Sequence, residues 1–185
     1  RIVGADGQGS TIVDGQGSVS CFNLGNTACV IEGLTITNGY TGGNGGGIYC
    51  SGMVPVVTNC TISGNRAGVS GGGMCKGTAN NCTVSGNMAR DGGGMSSCTA
   101  NNCTVIGNTA SRYGGGTYAF IANNCTVIGN TSSQYGGGMY EGTANNCTIS
   151  GNSGRGMYGA TANNCTITEN LGGGTYRGTA NNCIV

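Results

Sequence analysis

Histidine is absent from this chain, charged residues make up only 7% of it, and no Cys-x-x-Cys pair occurs. Without histidine or closely spaced cysteines, a zinc site of the finger or ribbon type is excluded. The scarcity of charge stands against about 25% in ordinary globular domains. With a formal net charge of +1, it leaves no electrostatic footprint for nucleic acid or an anionic membrane surface. No run approaches the ~18 apolar residues of a membrane helix, so membrane insertion is not expected. Nor does any stretch carry the 3.6-residue apolar stripe of an amphipathic helix. The start, Arg1-Ile2-Val3-Gly4, lacks both an initiator methionine and an apolar leader, as expected of a processed or excised chain.

What is abundant is glycine, with 41 residues, and cysteine, with 12. Glycine at about three times its usual ~7% share would suggest disorder or collagen if there were no period. There is one. Cys60, Cys82, Cys103, Cys125, Cys147, Cys165 and Cys183 open copies of a single phrase, in steps of 22, 21, 22, 22, 18 and 18 residues. A unit this short cannot bury a face alone and must stack on its neighbours, which makes the chain a solenoid. Within a copy the pattern alternates: Cys147 and Ile149 face one way, Thr148 and Ser150 the other. Each copy is therefore one coil of two or three short strands. Residues 1–185 read as a single all-β domain of about eight coils, about 40 Å long at ~4.8 Å per coil. Residues 1–58 keep the phrase loosely and 59–185 keep it strictly. Residues 4–20 are expected to supply the first coil, and a wider loop is expected over 50–58. That loop holds the single proline, Pro55, which cannot donate to a ladder. The abundance of cysteine points to an oxidising or anaerobic exterior.

The inward core ladder is Leu34 followed by the seven cysteines, with Ile36, Ile62, Val84, Val105, Val127, Ile149, Ile167 and Val185 two residues further on. A second wall is Ile48, Met74, Met95, Thr117, Met139, Met157 and Thr175, and small alanines from Ala79 to Ala180 fill a corner. The corner asparagines Asn65, Asn87, Asn108, Asn130, Asn152 and Asn170 tolerate left-handed backbone, and their amides are expected to hydrogen-bond from coil to coil. Because cysteine shares its slot with Leu34, the ladder thiols are expected to act as small buried hydrophobes. Of the remaining cysteines, Cys50 with Cys75 or Cys75 with Cys98 are the candidate bridges.

The phrase Asn-Cys-Thr-Ile-Ser-Gly-Asn, with Gly-Gly-Gly-Ile or Gly-Gly-Gly-Met before it, resembles the right-handed parallel β-helix repeats of the pectin-lyase-like superfamily. Extracellular bacterial repeat proteins and the passengers of polymorphic outer-membrane proteins are the nearest in pattern, over about residues 29–185. The resemblance implies a right-handed parallel β-helix located outside the cell or on its surface. Polysaccharide lyases and hydrolases of that superfamily rely on clustered aspartates. Here Asp6, Asp14, Glu32, Asp91, Glu141 and Glu169 fall in different coils and mostly at different phases of the repeat, so no carboxylate pair at glycosidase separation is assembled. Asp6 and Asp14 lie nearest in sequence. The glycine triplets recur without a supporting cation and lack the aspartate of calcium-binding nonapeptides. No catalytic residue, cofactor or metal is expected.

Outward threonine rows such as Thr35/Thr37, Thr61/Ser63 and Thr166/Thr168 suggest an ice-binding array. Ile106 and Ile128 interrupt it, and threonine is favoured on strands in any case. Tyr49, Tyr118, Tyr140, Tyr158 and Tyr176 form a column that either stacks on sugar rings or shields a sheet face, the latter being favoured. Six Asn-Cys-Thr phrases and Asn130-Thr131-Ser132 match the glycosylation sequon. The segments after each corner asparagine vary most and read as loops. Their candidate recognition residues are Arg90, Arg112, Tyr113, Gln134 and Tyr135, with surface glycans as the candidate ligand. Arg1, Ile2 and Val3 at one end and Ile184 and Val185 at the other are expected to be raw strand edges. Head-to-tail pairing of copies through them would give a non-catalytic extracellular filament. A fragment of a surface adhesin is the alternative, and a polysaccharide-processing enzyme comes third.

Overall fold

Glycines and asparagines at fixed intervals turn the chain every few residues, and each short run between them pairs with the same run one copy later. The computed structural model describes residues 1–5, 10–25, 28–52 and 54–185. Among these every strand pairing is parallel, and the strands stack as a β-solenoid of about 8 turns. Asp6 lies outside the described residues. Three faces wind around one core. The first is a 12-stranded sheet built mainly on 7-residue strands such as Met74–Asn80, Thr117–Asn123 and Met139–Asn145. The second is an 8-stranded sheet running from Thr11–Asp14 through Thr83–Ser85 to Thr166–Thr168. The third has 5 strands: Tyr40–Thr41, Arg66–Ala67, Met88–Asp91, Thr109–Tyr113 and Thr131–Ser132.

The third face corrects the expectation of variable loops. Its strands alternate as the others do, with Ala67, Ala89 and Ala110 buried and Met88 and Arg90 outside, so backbone pairing is satisfied despite the weak sequence pattern. The face stops after Ser132. Its next contact is a single bridge from Thr131 to Ser153, because the following copies are four residues shorter.

The core is the expected pair of walls. Leu34 and the cysteines from Cys60 to Cys165 are buried on one side, and Ile48, Met74, Met95, Thr117, Met139 and Met157 on the other. Threonine in a methionine slot leaves the Thr117 hydroxyl buried without a partner. The walls end at the last coil, where Val185 is 63% exposed and Cys183 and Thr175 are only half-buried. The expected bridges do not form. Cys75 lies in register with Tyr49, which turns Cys50 to the other side of the sheet, and it faces Ser96 in the next coil while Cys98 faces Gly77. Strand Val56–Thr58 begins directly after Pro55, so the irregular stretch is shorter than 50–58.

Two amide ladders tie the coils together, polarised in opposite senses. In the buried one, each corner asparagine donates from Nδ2 to the Oδ1 of the next copy, as Asn87 does to Asn108 at 3.0 Å. The same oxygen accepts the earlier asparagine's backbone N–H. In the outer one the donor is the later residue, as with Asn123 to Asn101 at 2.9 Å. Asn130 belongs to the buried ladder and is 0% exposed, so the sequon beginning there is closed to any glycosylating enzyme, whereas Asn81, Asn102, Asn124, Asn146 and Asn164 sit exposed at turns.

Candidate functional site

Register on the first face makes one column of Asn23, Tyr49, Cys75, Ser96, Tyr118, Tyr140, Tyr158 and Tyr176. At the edge where the third face meets the first, a second column runs Ser70, Asp91, Tyr113 and Tyr135. The two columns interleave. Tyr140 stacks between Tyr118 and Tyr158 at 5.4 and 5.3 Å. Tyr113 stacks on Tyr140 and Tyr135 on Tyr158, each at 4.6 Å. Tyr176 continues the column at 5.4 Å. Six rings thus form one array over the later coils, and Tyr49 stands apart from it across Cys75 and Ser96.

Guanidinium groups close both ends of the array. Arg112 lies 4.3 Å over the Tyr113 ring, and Arg155 lies 4.2 Å over Tyr176 with Arg177 at 5.6 Å from the same ring. Arg112 is fixed by Asp91, whose buried carboxylate accepts from its Nε at 3.0 Å and its Nη2 at 3.1 Å and also accepts from Arg90 Nε at 3.1 Å. The hydrogen bond to Asp91 raises the Arg112 guanidinium above its ordinary value, with the carboxylate's charge adding to it. Partial burial in the array, followed by the charge of Glu141, raises the Tyr140 phenol.

This geometry decides what the face can offer. Rings at 4–17° to one another cover each other's faces, so the array presents ring edges and phenol hydroxyls and leaves little ring surface for a sugar to stack on. It offers a row of hydroxyls about one coil apart, flanked by four guanidiniums. Of the candidate recognition residues, Arg90, Arg112, Tyr113 and Tyr135 come together here. Gln134 sits exposed beside them, its backbone N–H donating to the Arg112 carbonyl. Sequence reasoning missed Asp91, Arg155 and Arg177. Their signal was departure from the repeat: Asp91 stands between Ser70 and the tyrosines of the later copies, and Arg155 takes a position held by glycine in neighbouring copies. Arg1, Ile2 and Val3 lie at the opposite end of the stack from Ile184 and Val185, and among the described residues Ile2 and Val3 pair with Ile31 and Glu32.

Fold and face together define a parallel β-solenoid repeat protein with a tyrosine–arginine surface. Residues 21–182 match the family model described as periplasmic copper-binding protein (NosD), and the chain belongs to that family. The description places the family outside the cytoplasm, in the periplasm. No curated protein and no solved structure matches the chain.

The donor set does not fit copper. Cysteine and methionine are the soft ligands at hand, yet Met74, Met95, Met139 and Met157 are buried in the core wall and each ladder cysteine sulfur is already engaged by backbone. Cys103 Sγ accepts the Cys82 N–H at 3.4 Å and lies 3.3 Å from the Asn101 carbonyl, and the same pattern runs from Cys60 to Cys165. Burial pushes the Cys75, Cys98 and Cys165 thiols up, whereas within the ladder neighbouring thiols raise Cys82, Cys103 and Cys147 and lower Cys60 and Cys125, so the case against a metal rests on the engaged sulfurs and their spacing. Among the described residues no three cysteines or carboxylates cluster.

Proposed function

We propose that this protein is a non-catalytic, extracytoplasmic β-solenoid that binds acidic glycan chains along its tyrosine–arginine face. The single observation that carries this is the concentration of six tyrosines and four of the seven Lys and Arg residues on one side of the later coils. Phenol hydroxyls hydrogen-bond to sugar hydroxyls, and the guanidiniums select chains bearing carboxylate or sulfate. Catalysis has no support at this face: Asp91 is held between two arginines, and Glu141, beside Tyr140, is exposed. In native gels cast with polygalacturonate, the protein is expected to be retarded, and the Arg112→Ala/Arg155→Ala double variant to run freely. Neutral hydroxyethyl cellulose is expected to retard neither, and the polygalacturonate is expected to keep its length. Equal mobility of parent and variant would remove the proposal, as would shortening of the polymer.

End-to-end self-association is proposed second. It is supported by exposed apolar side chains at both stack edges, Ile2 at 41%, Val3 at 51%, Ile184 at 67% and Val185 at 63%. If copies pair there, Ile2→Asp and Val185→Asp will each abolish concentration-dependent growth in light scattering while the circular dichroism of the sheet is kept, because each buries a charge without a partner. Parent protein that stays monomeric at high concentration would exclude it and leave these edges to other coils of a longer chain.

A further inference from the structure

The repeats supply their own standard of comparison, and one corner departs from it. Where the second face turns into the third, a column of left-handed residues runs from coil to coil. The regular copies use Gly64, Gly86, Gly107, Gly129 and Gly151, all at φ 60–64°. The second coil places Asn38 there instead, at φ 53°, and in the first coil, where Gly15 stands in register with Asn38, the left-handed residue is Gln16, one position later, at φ 52°. Asparagine tolerates this region, but glutamine does not adopt it readily, so the Gln16 side chain is held there at an energetic penalty that glycine would avoid.

The columns on either side change in the same coils. Asp14 stands in register with Thr37 and Ser63, in a column that becomes Ile106 and Ile128 further along. Tyr40 stands in register with Arg66, in a column that becomes Met88, Thr109 and Thr131. Asp14, Gln16, Asn38, Tyr40 and Arg66 therefore line one open cavity of about 710 Å³, floored by glycines. That volume is in the range of small-ligand sites.

The charged heads in this cavity are exposed and only partly engaged by the fold. Asp14 Oδ1 accepts the Gln16 backbone N–H at 2.8 Å. Among the described residues neither Asp14 nor Arg66 forms an ion pair, although they face the same space. A carboxylate and a guanidinium held in one cavity without meeting are complementary to a ligand whose own charges are separated. A sugar acid would satisfy only the arginine.

We propose that this corner binds a short peptide with free termini. Its carboxylate is held by Arg66 in a bidentate pair, its ammonium by Asp14 with the Tyr40 ring beside it, and its peptide group by the Gln16 and Asn38 amides. The site is separate from the tyrosine–arginine face and does not depend on it.

Calorimetric titration of triglycine into the full chain at low salt tests this. Saturable binding is expected, falling about tenfold or more in Arg66→Ala and in Asp14→Asn, since each removes one charge-assisted contact. N-acetyl-triglycine amide, with both termini blocked, is expected not to bind. Gln16→Gly is expected to raise the thermal midpoint while weakening triglycine binding, a combination that a purely structural role for Gln16 would not produce. Arg112→Ala/Arg155→Ala protein is expected to bind triglycine as the parent does. No binding of triglycine, equal binding of the blocked peptide, or binding of glucuronate in its place would each overturn the proposal.

Discussion

Replacing Asn108 with alanine is expected to destabilise the protein by about 3–6 kcal/mol, although Asn108 is polar and touches no ligand. The side chain is 0% exposed. Its Oδ1 accepts from the Asn87 backbone N–H at 2.9 Å and from Asn87 Nδ2 at 3.0 Å. Its Nδ2 donates to the Val84 carbonyl at 2.9 Å and to Asn130 Oδ1 at 3.0 Å. Alanine strands several of these groups without water, at about 1–3 kcal/mol for each group left unmade. Asn108→Asp should be at least as damaging, because it keeps the acceptor but turns a negative oxygen toward Val84 O and Asn130 Oδ1. Urea unfolding followed by circular dichroism measures both. Hydrogen exchange should locate the loss in the coils flanking Asn108, as expected of a stack whose stability is built from nearest-neighbour contacts. A loss below about 1 kcal/mol for alanine would mean that the ladder is ornamental.

The second large effect separates two glycines that look alike in sequence. Gly115→Ala is expected to cost about 3 kcal/mol or more, because the new Cβ would collide with the Thr131 and Gly137 carbonyl oxygens of the adjoining coil. Those atoms are backbone and cannot turn aside. Gly107→Ala meets open space and carries only the penalty of φ +63°, about 1–2 kcal/mol. The same column holds asparagine at Asn38 in the second coil, which shows that a side chain is sterically admissible there. Thermal melts of the two variants side by side give the comparison, and a Gly107→Ala protein less stable than Gly115→Ala would reverse the account.

Much of the fold was legible from residue spacing. The step from Cys60 to Cys82 and onward sets the register that pairs Thr83 with Thr104 and Val84 with Val105, because a one-residue slip would turn every ladder cysteine outward. The third face was not legible. Met88-Ala89-Arg90-Asp91 is short, has a bulge between Ala89 and Asp91, and carries alanine where a strand usually carries a larger apolar residue. The tyrosine column could be listed from the letters, but its meaning could not. Whether rings five ångströms apart expose faces or cover them depends on interplanar angles, and here Tyr118 and Tyr140 lie 4° from parallel.

By itself, then, the sequence determined the parallel solenoid, the cysteine and methionine walls and the corner asparagines bonded from coil to coil, because each follows from a period that repeats in every copy. Only the tertiary structure decided what the non-repeating residues do. Asp91 meets Arg112 and Arg155 meets Tyr176 across different coils, and Asp14 and Arg66 come to line one cavity, through the rise and turn of the stack, which sequence separation does not encode.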